Sequence, residues 1–208
     1  CGAIITNDED LCNKIKQLQK KLPLPTRTKV IQYLLAFPAF AIGKPLYNVG
    51  GRLFLGVFKK LNIMGRIMYE QEKEGKQLNF FPSRFANSFA SILLGQFETL
   101  EEINRHRQHI AKLYDAGITN KKIIIPEKNV ESIYLRYPIL VKDHMKMMVE
   151  AKKQGIMLGN WYDTVIAPGD CKLKASGYKD GSCPRAEALS KDSINLPTNR
   201  FIDESKAQ

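Results

Sequence analysis

The chain has 208 residues, 44% hydrophobic and 25% charged, enough for one domain or about one and a half. Its longest apolar stretch, residues 30–42, contains Gln32 and Pro38 and falls well short of the ~20 residues that span a bilayer. The formal charge of +11 is local: residues 11–69 hold 11 Lys and Arg and no Asp or Glu, while the rest holds 21 of each sign, so the overall pI is no argument for nucleic-acid binding. Four cysteines (Cys1, Cys12, Cys171, Cys183) form no Cys-x-x-Cys pair and have few histidines near them. Reduced thiols in a cytoplasmic protein are expected, with neither a disulfide framework nor a zinc or other metal site. The first residues do not read as a targeting segment.

Ala3-Ile4-Ile5 is a β-branched run expected to form a buried strand. Thr6, Asn7 and Asp8 offer caps for a helix with an apolar stripe of Leu11, Ile15 and Leu18, ended by Pro23 and Pro25. Residues 28–69 form an apolar and basic insert, cut by Pro38, Gly43, Pro45, Gly50 and Gly51 into short helical pieces. Its many Leu and Phe residues require a cover. Residues 70–79 are polar and read as a linker. A single long helix is expected from Asn87 to Ala116, with Gly117 at its C′ position.

Beyond it the pattern turns α+β. Ile123-Ile124-Ile125 is a strand stopped by Pro126. Residues 132–141 alternate and predict a second strand, at an edge or bulged because of Pro138. Asp143 caps a helix through Gln154, with Met145, Met148 and Val149 inward, and Gly155 ends it. Ile156-Met157-Leu158 is expected to be the third strand, and a last helix begins near Asp203.

Three blocks carry chemical information. The first is Cys1-Gly2-Ala3-Ile4-Ile5-Thr6-Asn7-Asp8; the second is Gly181-Ser182-Cys183-Pro184-Arg185-Ala186-Glu187; the third is Asn195-Leu196-Pro197-Thr198. In this order and spacing they resemble the C-terminal half of the DegT/DnrJ/StrS-type sugar aminotransferases, pyridoxal-phosphate enzymes of fold type I. The resemblance spans residues 1–20 and 80–208. It implies an α/β chain: the tail of a large domain (1–27), a basic apolar insert and linker (28–79), a phosphate-contacting loop and long helix (80–117), and a small α+β domain (118–208).

The family's cofactor lysine precedes its Gly-Gly-x-x-x-Thr-Asn-Asp strand. The resemblance therefore places the lysine upstream of Cys1 and implies that residues 1–208 alone are not catalytic. The family's Gly-Tyr-Asn-Tyr-Arg-Met segment, whose Asn approaches the cofactor phosphate of the neighbouring subunit, corresponds here to Phe80-Phe81-Pro82-Ser83-Arg84-Phe85. Arg84 matches the Arg. Pro82 replaces the Asn and has no donor, so Ser83 or Asn87 becomes the candidate substitute. Arg84 also has a physical argument of its own: a cation at a helix start opposes the dipole unless an anion binds there. The competing reading is a surface Arg paired with a Glu.

Trp161 and Tyr162 lie in a loop that the resemblance places on the substrate side, where rings stack on a sugar or base; packing of Trp161 against the long helix is the alternative. Cys183 has no His near it in sequence and reads as a buried structural thiol rather than a nucleophile. Asn199 stands where the family often has His. The resemblance implies amino transfer from an amino acid, glutamate, to a nucleotide-linked keto-sugar in polysaccharide or glycan precursor synthesis, within a homodimer. A lysine-less relative acting as sensor or dehydratase, or a non-catalytic membrane-surface protein, are the alternatives. Residues 28–69 are either a subunit-interface or core cover, or a contact with an anionic membrane surface at the inner face; nucleic acid is not an expected partner.

Overall fold

The computed structural model describes residues 4–66, 68–127 and 131–207. It comprises two compact units, residues 1–94 and 95–208. In the first, Asp8 Oδ1 accepts the Leu11 N–H at 2.9 Å and starts helix α1 (Glu9–Lys21), whose last turn carries Lys20 and Lys21, as the helix dipole favours. Thr26 caps α2 (Arg27–Leu34), which leads through Leu35 into α3 (Ala36–Gly43). A 3-10 turn (Tyr47–Val49) connects to α4 (Gly51–Lys60). The α3–α4 hairpin closes on glycine: a Cβ on Gly51 would lie 2.1 Å from the Gly43 carbonyl oxygen. Gln32 ties α2 to the chain after α4, donating to the Asn62 carbonyl at 2.7 Å and accepting the Gly65 N–H at 2.8 Å. Then come α5 (Glu70–Lys73), started by Glu72 accepting the Tyr69 N–H, and α6 (Asn87–Phe97), which crosses from the first unit into the second. Buried apolar residues of the first unit are Ala39, Met64 and Leu78.

The second unit holds α7 (Leu100–Gly117), β1 (Ile123–Ile124), β2 (Tyr137–Val141), α8 (His144–Lys153), a 3-10 turn (Leu173–Ser176), α9 (Pro184–Asp192), β3 (Ser193–Leu196) and α10 (Glu204–Ala207). The sheet is antiparallel in the order β1-β2-β3, with Ile124 opposite Leu140 and Ile139 opposite Ile194. Ile110, Ala111 and Tyr114 from α7 pack with Tyr137, Ile139 and Ile194 as its core. Two tyrosines keep their hydroxyls satisfied there: Tyr114 donates to the Pro197 carbonyl at 2.7 Å and Tyr137 to Asp115. Burial pushes the Tyr137 phenol up to about 12.

Several expectations are corrected. Ile4 and Ile5 are exposed and in no strand, because a β-branched run needs a ladder partner and none lies beside them among the described residues; Cys1, Gly2 and Ala3 fall outside the described residues. The expected linker holds α5 and a buried Leu78. The single long helix is two, broken at Glu98 and Thr99, and Gly117 is the last helical residue with Ile118 as cap. The second strand starts only at Tyr137, since Tyr134 sits at φ 47°, outside the extended region. Pro138 lies in the central strand; β1 pairs only with Leu140 and Val141, so no β1 residue stands opposite the missing N–H. Asp143 occupies the cap position of α8 without a side-chain cap bond, and Met145 and Val149 are exposed while Met147 and Met148 pack inward. The third strand is Ser193–Leu196, not Ile156-Met157-Leu158.

Candidate functional site

Gly159 is where the loop after α8 meets the sheet. It exchanges two backbone hydrogen bonds with Asn195 of β3, at 2.9 and 2.7 Å. Asn195 is itself buried, and its side-chain amide donates to the Trp161 carbonyl. The loop is further fixed by Asn160, which donates to Asp163 at 2.8 Å. Trp161 and Tyr162 are thereby held with their rings stacked, centroids 5.7 Å apart and planes 17° from parallel. The Arg136 guanidinium carbon lies 4.0 Å from the Trp161 ring centroid, a cation–π contact of about 0.5–1 kcal/mol at an exposed site. Both rings remain half exposed, Trp161 at 52% and Tyr162 at 58%. The platform can therefore take a planar or sugar ring on its aromatic surface and an anion at Arg136. Trp161 is not packed away between elements.

Arg136 was not among the residues singled out from sequence. Its signal is modest: it is the one Arg between Arg107 and Arg185, directly before β2. The motif containing Asn195 and Thr198 supports the platform and sheet rather than reacting. Thr198 is buried and donates to the Tyr134 carbonyl at 2.7 Å. Asn199 meets His106 Nε2 through its carbonyl at 3.3 Å.

The block 181–187 closes onto the start of α9. One carboxylate oxygen of Glu187 accepts the Tyr178 hydroxyl, the Gly181 N–H at 2.7 Å and the Cys183 N–H at 3.4 Å. The Tyr178 bond is the main reason the Glu187 carboxyl sits below its ordinary value, and the same bond pushes Tyr178 up to about 12. Gly181 turns at φ 84°, a conformation glycine adopts without strain. Cys183 is exposed, contrary to the buried thiol expected. Among the described residues no group of three or more His, Cys, Asp and Glu could hold a metal ion.

In the first unit, Arg84 Nε donates to the Leu22 carbonyl at 2.9 Å and the Arg84 N–H to Pro23 at 2.8 Å. This pins the loop before α6 to the turn after α1. The anchor uses Nε alone; among the described residues neither Nη of Arg84 has a partner, and no Glu pairs with it. Ser83 is half-buried, and Asn87 is exposed as the first residue of α6. Their side chains also lack partners among the described residues. A phosphate is held by donors that are not already spent, and the Arg84 Nη groups are of that kind.

A model of the DegT/DnrJ/EryC1/StrS aminotransferase family matches residues 58–208. The chain belongs to that family. Three solved structures share its fold: DesV of S. venezuelae (TM-score 0.52, 19% identity, 60% of this chain and 34% of that one), a DegT DnrJ EryC1 StrS aminotransferase of Brucella abortus (0.51, 20%, 69% and 37%) and the aminotransferase TlmJ of Streptoalloteichus hindustanus (0.51, 22%, 64% and 36%). An uncharacterized protein of Methanocaldococcus jannaschii is 30% identical over 118 residues, 52% of this chain and 30% of that protein. The chain thus spans about a third of the length of these relatives. The fold is that of the fold type I transferases, and the cofactor of the family is pyridoxal phosphate.

Proposed function

We propose that the chain supplies the C-terminal part of a pyridoxal-phosphate-dependent aminotransferase that moves an amino group from glutamate to a nucleotide-linked keto-sugar, in the making of a polysaccharide or glycan precursor. The observation that carries the reading is the exposed Trp161–Tyr162 stack beside Arg136, on a chain whose family is one of aminotransferases. A nucleotide-sugar is a ring joined to a diphosphate, and the platform offers aromatic surface next to a guanidinium.

Pyridoxal phosphate, when bound, supplies the carbonyl through which the amino group is carried. The residues that would hold its phosphate are Arg84, through its two Nη groups, with Ser83 and Asn87 as neutral donors. Arg84 is anchored by Nε, so its orientation is set before any ligand arrives and little side-chain entropy is lost on contact. As in the family, the reading has two subunits, with Arg84 of one serving the cofactor of the other.

The test uses the full-length protein. Trp161→Ala should raise KM for the nucleotide-sugar while leaving the half-reaction with glutamate unchanged. Arg84→Ala should weaken cofactor retention by about 1.5–3 kcal/mol. Heterodimers of Arg84→Ala subunits with lysine-less subunits should regain activity. A full-length protein that retains the cofactor but transfers no amino group would instead be a sensor or dehydratase relative.

A further inference from the structure

The α3–α4 hairpin turns its large apolar residues outward. The two helices meet where Leu55 packs against Gly43 and where Gly51 lies against the Gly43 carbonyl, and Phe37, Phe40, Leu53 and Val57 stay exposed outside that contact. Phe37 and Phe40 stand three residues apart on α3 and are exposed, and Lys44 follows with its Nζ 5.5 Å from the Phe40 ring centroid. On α4, Leu53 and Val57 are exposed four residues apart, with Lys60 next on that face. Arg52 and Lys59 are spaced seven apart on an adjoining face. Leu46, Tyr47 and Val49 continue the exposed apolar surface between the helices.

Among the described residues Lys44, Arg52, Lys59 and Lys60 make no ion pair, and the sequence has no acid from 11 to 69. The family match starts at residue 58, so α2, α3 and most of α4 lie outside it. Among the described residues no helix is long and apolar enough to cross a membrane.

We propose that the α3–α4 hairpin docks onto an anionic lipid surface, with Phe37, Phe40, Leu53 and Val57 entering the interface and Lys44, Arg52, Lys59 and Lys60 among the headgroups. Charge selects this occupant over a second copy of the chain. The stretch from Arg27 to Lys60 carries basic residues and no acid, so two such faces would meet with like charges opposed. An anionic headgroup layer satisfies both the charge and the apolar face.

Sedimentation of the full-length protein with phosphatidylcholine vesicles, with and without phosphatidylserine, decides the matter. Binding should require phosphatidylserine and fall, without vanishing, as salt rises. Lys59→Gln with Lys60→Gln should lower affinity about thirtyfold, at about fivefold per cation held near the surface. Phe37→Ser with Leu53→Ser should weaken binding while leaving its salt slope unchanged. Absence of co-sedimentation, equal binding to neutral vesicles, or indifference to both double variants would overturn the proposal. So would a fall in oligomeric mass of Phe37→Ser/Leu53→Ser in analytical ultracentrifugation without any vesicle binding, which would make the face a contact between copies.

Discussion

At Glu187 a single carboxylate oxygen holds the loop 177–183 in place, by accepting from one hydroxyl and two backbone N–H groups. All three donors favour the ionised form, so the folded-state value lies below the ordinary one. A depressed value means the contribution is present above the ordinary carboxylate range and is lost as pH falls through the folded value. Loop order should therefore survive acidification below the usual Glu titration. The Gly181 amide, followed by NMR against pH, should titrate with a midpoint under that of a free Glu, and Glu187→Gln should abolish the titration. A midpoint at or above the ordinary value would show that the bonds do not favour the anion. The sequence set the block 181–187 apart as a motif, but not Glu187 as an acceptor, since Tyr178 lies nine residues away. Trp161 and Tyr162 stand out in the sequence for a different reason: the lone Trp of the chain lies two residues after Gly159, in an irregular stretch. Their neighbour Arg136 does not, because 25 residues separate it from Trp161 and only the sheet register joins them.

The cap of α1 at Asp8 was readable because the cap bond is local. Strand assignment failed where the deciding contact is distant. Ile156-Met157-Leu158 has the stronger apolar run, yet Ser193–Leu196 is the strand, because Ile194 buries completely opposite Ile139. Only Gly159, at the end of the expected strand, bridges to it. The glycines of the α3–α4 hairpin make the element scale testable with two opposite signs. Gly51→Ala puts a Cβ 2.1 Å from a backbone oxygen and 2.7 Å from the Leu46 carbonyl carbon, and backbone cannot swing away. It should destabilise the hairpin by about 1–3 kcal/mol. Gly56→Ala, in the middle of α4 with open space around it, should stabilise by about 0.5–1 kcal/mol. Denaturant melts followed by a probe within residues 27–60 would read both. Equal signs would mean that the close approach of Gly51 does not control the hairpin.

The two units differ in how they are held. The first buries Ala39, Met64 and Leu78, and secures its loops with polar ties such as Gln32 to Asn62 and Arg84 to Leu22. The second joins a helix to a sheet through Ile110, Ala111, Tyr114, Tyr137, Ile139 and Ile194. Protection from exchange follows buried apolar contacts, so the slowest amides should be those of β2, β3 and the middle of α7, with α2 to α4 exchanging faster. Removing a buried side chain should act within its own unit. Ile194→Ala leaves a void facing Ile139 and should cost about 2–5 kcal/mol, a large share of a domain stability of about 5–15 kcal/mol. Exchange measured by mass spectrometry should then rise across residues 110–114, 137–141 and 193–196 while residues 27–60 keep their rates. An equal rise in residues 27–60 would show that the chain unfolds as one cooperative body, and that the hairpin carrying the proposed lipid contact is stabilised through the sheet of the second unit. Unchanged rates there would leave the hairpin free to be exchanged, truncated or redesigned while the aromatic platform on Gly159 and Asn195 stays in register.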